Sequence, residues 1–425
     1  MKKLLIEQVR TSKTLAGAWR AVRRNARQSK TESTRVEATE FEAEAVEKLG
    51  RIQRQLQSTS FKFLPAIGKK IPKKTKKSFR PLVVAPIESR IVQRAVHDVL
   101  INLPALQAYV KTRHSFGGIK KDEEDEIAAV PAAIKCVLQA IASGSNFVVR
   151  SDISDFFTKI PKPIVTSMID GIIGKGEGEF LNLFSAAIKV ELANMARLRS
   201  GDAKKFPIED IGVAQGNSLS PLLGNLYLYN FDLELNQQPD IRCIRYIDDF
   251  IILAPSKSAA MNQFSKANHI LKDLGLTVSA AKTFPGTAKD GFEFLGVEIG
   301  NGYIRPSKDS RERLVASIKT ILLESSNAFL TSPNVQPFEN KLSFLATLRR
   351  VRGAMQGWVK HYWFCNDFNT LAVLSKHVAS MILDYQASYK VAHANADEKL
   401  RWNLLGIEPL DQIDKTRSFR WDGSS

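Results

Sequence analysis

The sequence predicts an α+β fold, and three observations carry that expectation. Short runs rich in β-branched and aromatic residues, Phe147-Val148-Val149, Ile241 to Ile244 and Phe250 to Leu253, read as strands. Around them lie longer stretches with apolar residues at helical spacing. Apolar residues fill 44% of 425 positions, enough for a substantial core spread over two to four domains.

Taken in order, residues 1–60 are a basic, helical N-terminal extension. Within and beyond it, Val36, Phe41, Ala45, Leu49, Ile52 and Leu56 recur among charges and predict one amphipathic helix over 36–57, and Ile87 to Leu100 reads the same way. Residues 61–305 hold the predicted strands, with helices between them. The Pro-Gly punctuation after Lys282 and then Arg305-Pro306-Ser307 mark the end of this α+β region. The remainder, 306–425, reads as helical and basic over 309–390.

Charge narrows the partners. The net charge is +17, and residues 1–80 alone carry 21 Lys or Arg against 7 Glu, a net +14. A basic block of that density favours a polyanion such as nucleic acid. Cys136, Cys243 and Cys365 stand far apart with no CxxC pair, which points away from a zinc site or a disulfide framework and fits a reducing, cytoplasmic compartment. The apolar start Leu4-Leu5-Ile6 is cut short by Glu7 and Arg10, and no run approaches the ~20 apolar residues of a membrane span, so no membrane partner is expected.

The most pointed feature is Tyr246-Ile247-Asp248-Asp249, two adjacent carboxylates at an expected hairpin tip. Side chains alternate along a strand, so one carboxylate can face a cleft while its neighbour packs sideways or shares an ion. A third carboxylate, Asp152, ends the apolar run that starts at Phe147. Three Asp on neighbouring strands make a hard-oxygen cluster suited to Mg²⁺. That set fits two cations flanking a phosphoryl transfer, with Asp152 and Asp248 bridging and Asp249 the weaker third ligand. Asp155 offers a fourth carboxylate, with a helix-start cap or surface acid as its alternative.

With these carboxylates stand further segments: Leu15 to Asn25, Phe79 to Ala95, His114-Ser115-Phe116-Gly117, Asp152 to Phe157, Gly212 to Asn225, Gly275 to Thr283 and Phe292 to Val297. In this order and spacing the chain resembles the reverse transcriptases of the bacterial, group II intron-like branch, from about Leu15 to about Tyr362. The resemblance implies a right-hand polymerase, with fingers and an antiparallel palm over 61–305 and an α-helical thumb after 306. It implies RNA-directed DNA polymerase activity with two Mg²⁺ ions, or Mn²⁺ in their place. Asp152, Asp248 and Asp249 match the metal-binding carboxylates, and Lys282 the lysine that protonates pyrophosphate. Arg80 and Lys73 match cations gripping the triphosphate, where Lys74 competes with Lys73. Phe157 matches the steric gate against ribonucleotides, Gln215 the glutamine beside the incoming nucleotide, and Ile153 a further substrate contact. Ala214 stands where many relatives have proline, which implies a looser loop. Phe294-Leu295-Gly296 resembles the primer grip. The cluster Arg349-Arg350-Val351-Arg352, followed by Trp358, Lys360, His361, Tyr362 and Trp363, reads either as a duplex-tracking helix or as core.

Within the family, no HNH-type nuclease signature follows the thumb, no Val-Thr-Gly follows Gly296, and Gly212 to Gln215 continues Gly-Asn-Ser-Leu-Ser-Pro. By elimination the chain is similar to the compact bacterial enzymes that include defence-associated reverse transcriptases. The resemblance then implies a structured noncoding RNA template, a cDNA product, deoxynucleoside triphosphates as substrates and an antiphage role, with an oligomer or accessory protein as a further partner. Arg20, Arg23, Arg24 and Arg27 are the RNA-binding candidates. Two alternatives stand beside this reading, a group II intron or other retroelement enzyme and a non-catalytic RNA-binding scaffold.

Overall fold

The computed structural model describes residues 3–29, 31–72, 79–118, 129–331 and 338–409. Lys73, Lys74 and most of the lysine-rich run lie outside the described residues. The chain divides into two compact units, 1–287 and 288–425. The sequence suggested breaks after 60 and after 305. Instead, the N-terminal helices share a core with the strand-bearing region, and residues 288–305 belong with the helices that follow them.

In the first unit, an antiparallel hairpin of β1 (Ile67–Pro72) and β2 (Phe79–Val84) stands apart from a four-stranded antiparallel sheet. The sheet comprises β3 (Phe147–Asp152), β4 (Arg242–Tyr246), β5 (Asp249–Ala254) and β6 (Phe284–Thr287), in the order β4-β5-β3-β6. The three expected apolar runs fall in β3, β4 and β5, of which β3 and β5 are central and β4 lies at an edge. Alternation explains the packing of one face, where Val149, Cys243, Phe250, Ile252 and Ala254 join the main core with helices such as Ile87–Ile101 and Lys257–Asp273. The same core takes in Leu15, Ala18, Trp19 and Val22 from the helix Ser12–Arg27. That helix is capped by the Thr11 hydroxyl on the Thr14 amide. The helix expected over 36–57 is two helices, Glu32–Ala43 and Ala45–Gln57. They part at Glu44, whose backbone leaves the helical region (φ −124°, ψ 26°).

The second unit has a three-stranded antiparallel sheet, β7 (Phe292–Phe294), β8 (Val297–Gly300) and β9 (Tyr303–Pro306), followed by helices Lys308–Thr331, Phe344–His361, Phe368–Ala394 and Glu398–Leu405. Its helices have their own core, including Ile318, Phe329, Val351, Val378, Tyr385 and Leu404. Phe344 stacks on both Tyr385 and Tyr389 there. Among the described residues no helix is long and apolar enough to cross a membrane.

Candidate active site

The site is assembled by register. Asp152, the last residue of β3, pairs across the sheet with Asp249, the first of β5, and Asp249 pairs with Tyr246 at the end of β4. The hairpin is therefore closed by two residues, Ile247 and Asp248, which puts all three carboxylates at one end of the sheet. The Ile153 amide donates to the Asp248 carbonyl at 2.9 Å, which ties the two loops together. Ile247 has φ 60°, in the left-handed region that β-branched residues rarely enter.

The segment 275–283 is stitched onto the same end. The Ser154 amide donates to the Thr277 carbonyl at 2.7 Å and the Ser279 amide to the Asp152 carbonyl at 2.9 Å. Lys282 thereby reaches Asp152, its Nζ donating to Oδ2 at 2.6 Å. The second carboxylate oxygen, Asp152 Oδ1, is buried with no hydrogen-bond partner.

The electrostatics match three crowded acids. Burial raises the Asp248 carboxyl above its ordinary value and Asp152 adds to it, while its own backbone hydrogen bond, Lys282 and Arg80 pull the other way. Asp249 is exposed as a residue, yet protein crowds around its carboxyl. That crowding, then Asp248 and Asp152, push its carboxyl up to about 6, against a pull from Lys282 and Arg150. Among the described residues no three ligating side chains have closed into a metal cage. The donor set nevertheless suits a hard cation, with oxygens only, an orphaned buried carboxylate oxygen and raised carboxyls that added positive charge would relieve.

Around the acids lie the other expected contacts of the first unit. Asp155, with φ 51°, opens a short 3₁₀ helix, Phe156–Lys159, and its backbone carbonyl accepts from the Thr158 amide. In that helix Phe156 is buried, while Phe157 is half-buried with its ring 5.2 Å from that of Phe156. Gln215 runs beside β2, its carbonyl accepting from the Val83 amide at 3.0 Å. Gly216 has φ 112°, and a Cβ there would stand 2.7 Å from the Val83 carbonyl, so the close approach needs glycine. The looseness expected from Ala214 is countered by its carbonyl, which accepts from the Ser220 hydroxyl at 2.7 Å and the Asn217 amide at 3.1 Å. Arg80 is exposed on β2. Ile153 departs from its expected role: its side chain is 1% exposed, within the core, and its amide is taken by Asp248.

The primer-grip candidate lies in the second unit. Phe294 pairs with Val297, so Leu295 and Gly296 form a two-residue turn, with φ 52° and 76°. Positive φ at both central residues is the hairpin turn whose twist matches its strands. The Gly296 carbonyl accepts from Ser307, and Tyr362, bonded to Ser310, lies against Gly296. The aromatic cluster splits between the two readings. Trp358 donates to Ser310 and Tyr362 is buried, whereas Arg349, Arg352, Lys360 and Trp363 are exposed.

At the N-terminus, Glu42 accepts from Arg23 and Arg27, each at 2.7 Å, while Arg20 and Arg24 are exposed on the same helix. Sequence reasoning passed over Arg150, which lies over the Phe284 ring at 4.8 Å and acts on Asp249, and Arg245 inside β4. The available signal was an arginine set in an apolar strand, alone in β3 and beside Arg242 in β4.

Protein YkfC of Escherichia coli K12 is 24% identical over 332 residues, 70% of this chain and 81% of its own length. The putative COX1/OXI3 intron 2 protein of Saccharomyces cerevisiae is 22% identical over 311 residues, 59% of this chain but only 34% of its own. Among solved structures, apo telomerase from Candida tropicalis, truncated from the C-terminal domain, aligns with a TM-score of 0.40 at 15% identity, over 58% of this chain and 55% of that one. The family model for reverse transcriptase (RNA-dependent DNA polymerase) matches residues 71–299, more than half the chain and all of the carboxylate site. The chain with its three Asp at one sheet end thus belongs to the reverse transcriptase family of RNA-dependent DNA polymerases.

Proposed function

We propose that this protein copies a structured noncoding RNA into cDNA by two-metal nucleotidyl transfer from deoxynucleoside triphosphates, in the cytoplasm and in the service of antiphage defence. The observation that carries the chemistry is the Asp152–Asp249 register with Asp248 between the strands. Asp152, Asp248 and Asp249 would hold two Mg²⁺ ions, which when bound stabilise the attacking and leaving oxygens of the displacement. Lys282, already on Asp152, sits at the edge of this cluster with a proton to deliver to departing pyrophosphate. Arg80 offers the planar fork that suits phosphate oxygens. Phe157 and Gln215 flank the nucleotide, Lys73 adds a second cation, and Phe294-Leu295-Gly296 bears on the primer end.

The defence role and RNA template rest on the resemblance to compact bacterial enzymes and on the basic N-terminal block. A retroelement role is the second reading, favoured by the similarity to an intron protein. Replacing Asp248 and Asp249 together by Ala is expected to abolish Mg²⁺-dependent deoxynucleotide incorporation while leaving RNA binding nearly intact, because phosphate contacts elsewhere supply most affinity. Full polymerisation by that variant would sink the chemistry. Sequencing the RNA and cDNA that copurify, with phage plating of cells carrying the same variant, separates defence from an intron-borne role.

A further inference from the structure

We propose that Arg245 is a positioning residue for the Asp248-Asp249 turn, acting through the Ile247 carbonyl; this rests on the reading of that turn as a polymerase site. Arg245 is 0% exposed and heads the fully buried side chains by volume. Its Nε and Nη2 donate to the two oxygens of Asp232 at 2.7 and 2.5 Å. If the pair were only a core ion pair, those bonds would complete it. Nη1, however, donates further to Asn225 Oδ1 at 3.0 Å and to the Ile247 carbonyl at 2.9 Å.

Asn225 extends the clamp. Its Nδ2 donates to the Gly117 carbonyl at 2.8 Å, and its Oδ1 also accepts from Ser115 at 3.3 Å. The main chain of Arg245 is tied to the same segment, its amide donating to His114 at 2.8 Å and its carbonyl accepting from Phe116 at 3.0 Å. From the other side Gly117 packs so closely on the turn that a Cβ would stand 2.6 Å from Ile247 Cγ1 and 2.8 Å from its amide nitrogen.

One guanidinium thus anchors the peptide carbonyl that leads into Asp248 to helix Tyr229–Glu234, helix Ser220–Tyr227 and the stretch 114–117. That carbonyl belongs to the residue with φ 60°. Strained backbone persists where its surroundings over-determine it. Reacting groups misplaced by about 1 Å can cost on the order of 10²-fold in rate. A lysine cannot reproduce the arrangement, since an ammonium is a point charge without a planar fork.

The test uses the full-length protein with Arg245→Lys, and Gly117→Ala as a second variant that presses on Ile247 without touching the ion pair. Circular dichroism and RNA affinity first establish that each variant is folded. Both are expected to lower kcat, by on the order of 10²-fold for Arg245→Lys, with deoxynucleotide KM and RNA Kd little changed and the Mg²⁺ midpoint of the rate raised. Mn²⁺ binding to the free protein, followed by electron paramagnetic resonance, is expected to weaken in parallel. A folded Arg245→Lys with wild-type kcat and Mg²⁺ midpoint overturns the proposal, and if that variant does not fold, a Gly117→Ala protein with wild-type values does so. A wild-type protein that incorporates no deoxynucleotide overturns the polymerase reading alone. The Mn²⁺ affinities, which need no turnover, then decide the role of Arg245, and equal values in folded variant and wild type refute it.

Discussion

Asp248 and Asp249 are adjacent acids in crowded surroundings, and the crowding of Asp249 has a thermodynamic consequence. Its folded value of about 6 lies above the ordinary 3.8, so between those limits the native state binds a proton that the unfolded chain has released. The contribution of this group to stability is therefore full below about pH 4 and lost as pH rises through 6. In chelator, Asp249→Asn is expected to melt above wild type at pH 7.5, with the gain shrinking toward pH 4.5. Differential scanning fluorimetry checks it, and Mg²⁺ should stabilise wild type more than the variant. The neighbouring Phe157 has a separate test, because its ring is only half-buried. Phe157→Ala is expected to raise ribonucleotide use relative to deoxynucleotide by on the order of tenfold. Single-nucleotide incorporation reads this directly, and an unchanged ratio in an active variant would make Phe157 a core residue like Phe156.

At the scale of elements, the N-terminal helix Ser12–Arg27 divides its arginines. Arg23 and Arg27 are bonded to Glu42, although Arg27 is itself exposed, as are Arg20 and Arg24. If this helix binds RNA, Arg20→Ala with Arg24→Ala is expected to weaken binding more than the Arg23, Arg27 pair. The salt slope should fall by roughly 0.7 to 0.9 for each phosphate that is no longer neutralised. Filter binding across salt concentrations measures both, and equal slopes in the two double variants would move RNA recognition away from this face. The strands around the acids were legible because Phe147 to Val149, Ile241 to Ile244 and Phe250 to Leu253 sit between polar punctuation and are largely buried. The long helix over 36–57 misread because Phe41, Ala45 and Leu49 keep a four-residue spacing across Glu44, so periodicity passed through the break there. The Asp152–Lys282 bond was invisible for another reason. It depends on backbone bonds from Ser154 and Ser279, which no side-chain pattern encodes. Arg245 belongs to the same class, since its partners Asp232, Asn225 and Ile247 meet only in three dimensions.

At the scale of the whole molecule, the two units have separate cores. Tyr385 is 2% exposed, stacks on Phe329 and Phe344, and bonds Ser325 at 2.8 Å. Tyr385→Ala removes a buried ring, a change of about 3–5 kcal/mol by analogy with other large aromatic truncations. Calorimetry is expected to resolve two unfolding transitions, with only one moved by this variant. A single transition shifting as a whole would mean that the units unfold together. The boundary expected at 305 missed this division because Arg305-Pro306 looks like punctuation, yet both residues are paired in β9.

Ile247 and Leu295, one in each unit, are non-glycine residues held at positive φ in two-residue hairpin turns. Holding an L side chain there costs on the order of 1 kcal/mol, which glycine would not incur. A selection scored on heat resistance alone would therefore drift toward glycine at 247 and 295, the two positions where a looser turn frees the chain to wander. Directed evolution of this protein for thermostability would erode fidelity of placement before it harmed solubility or yield, so such libraries need a copying assay alongside the melting curve.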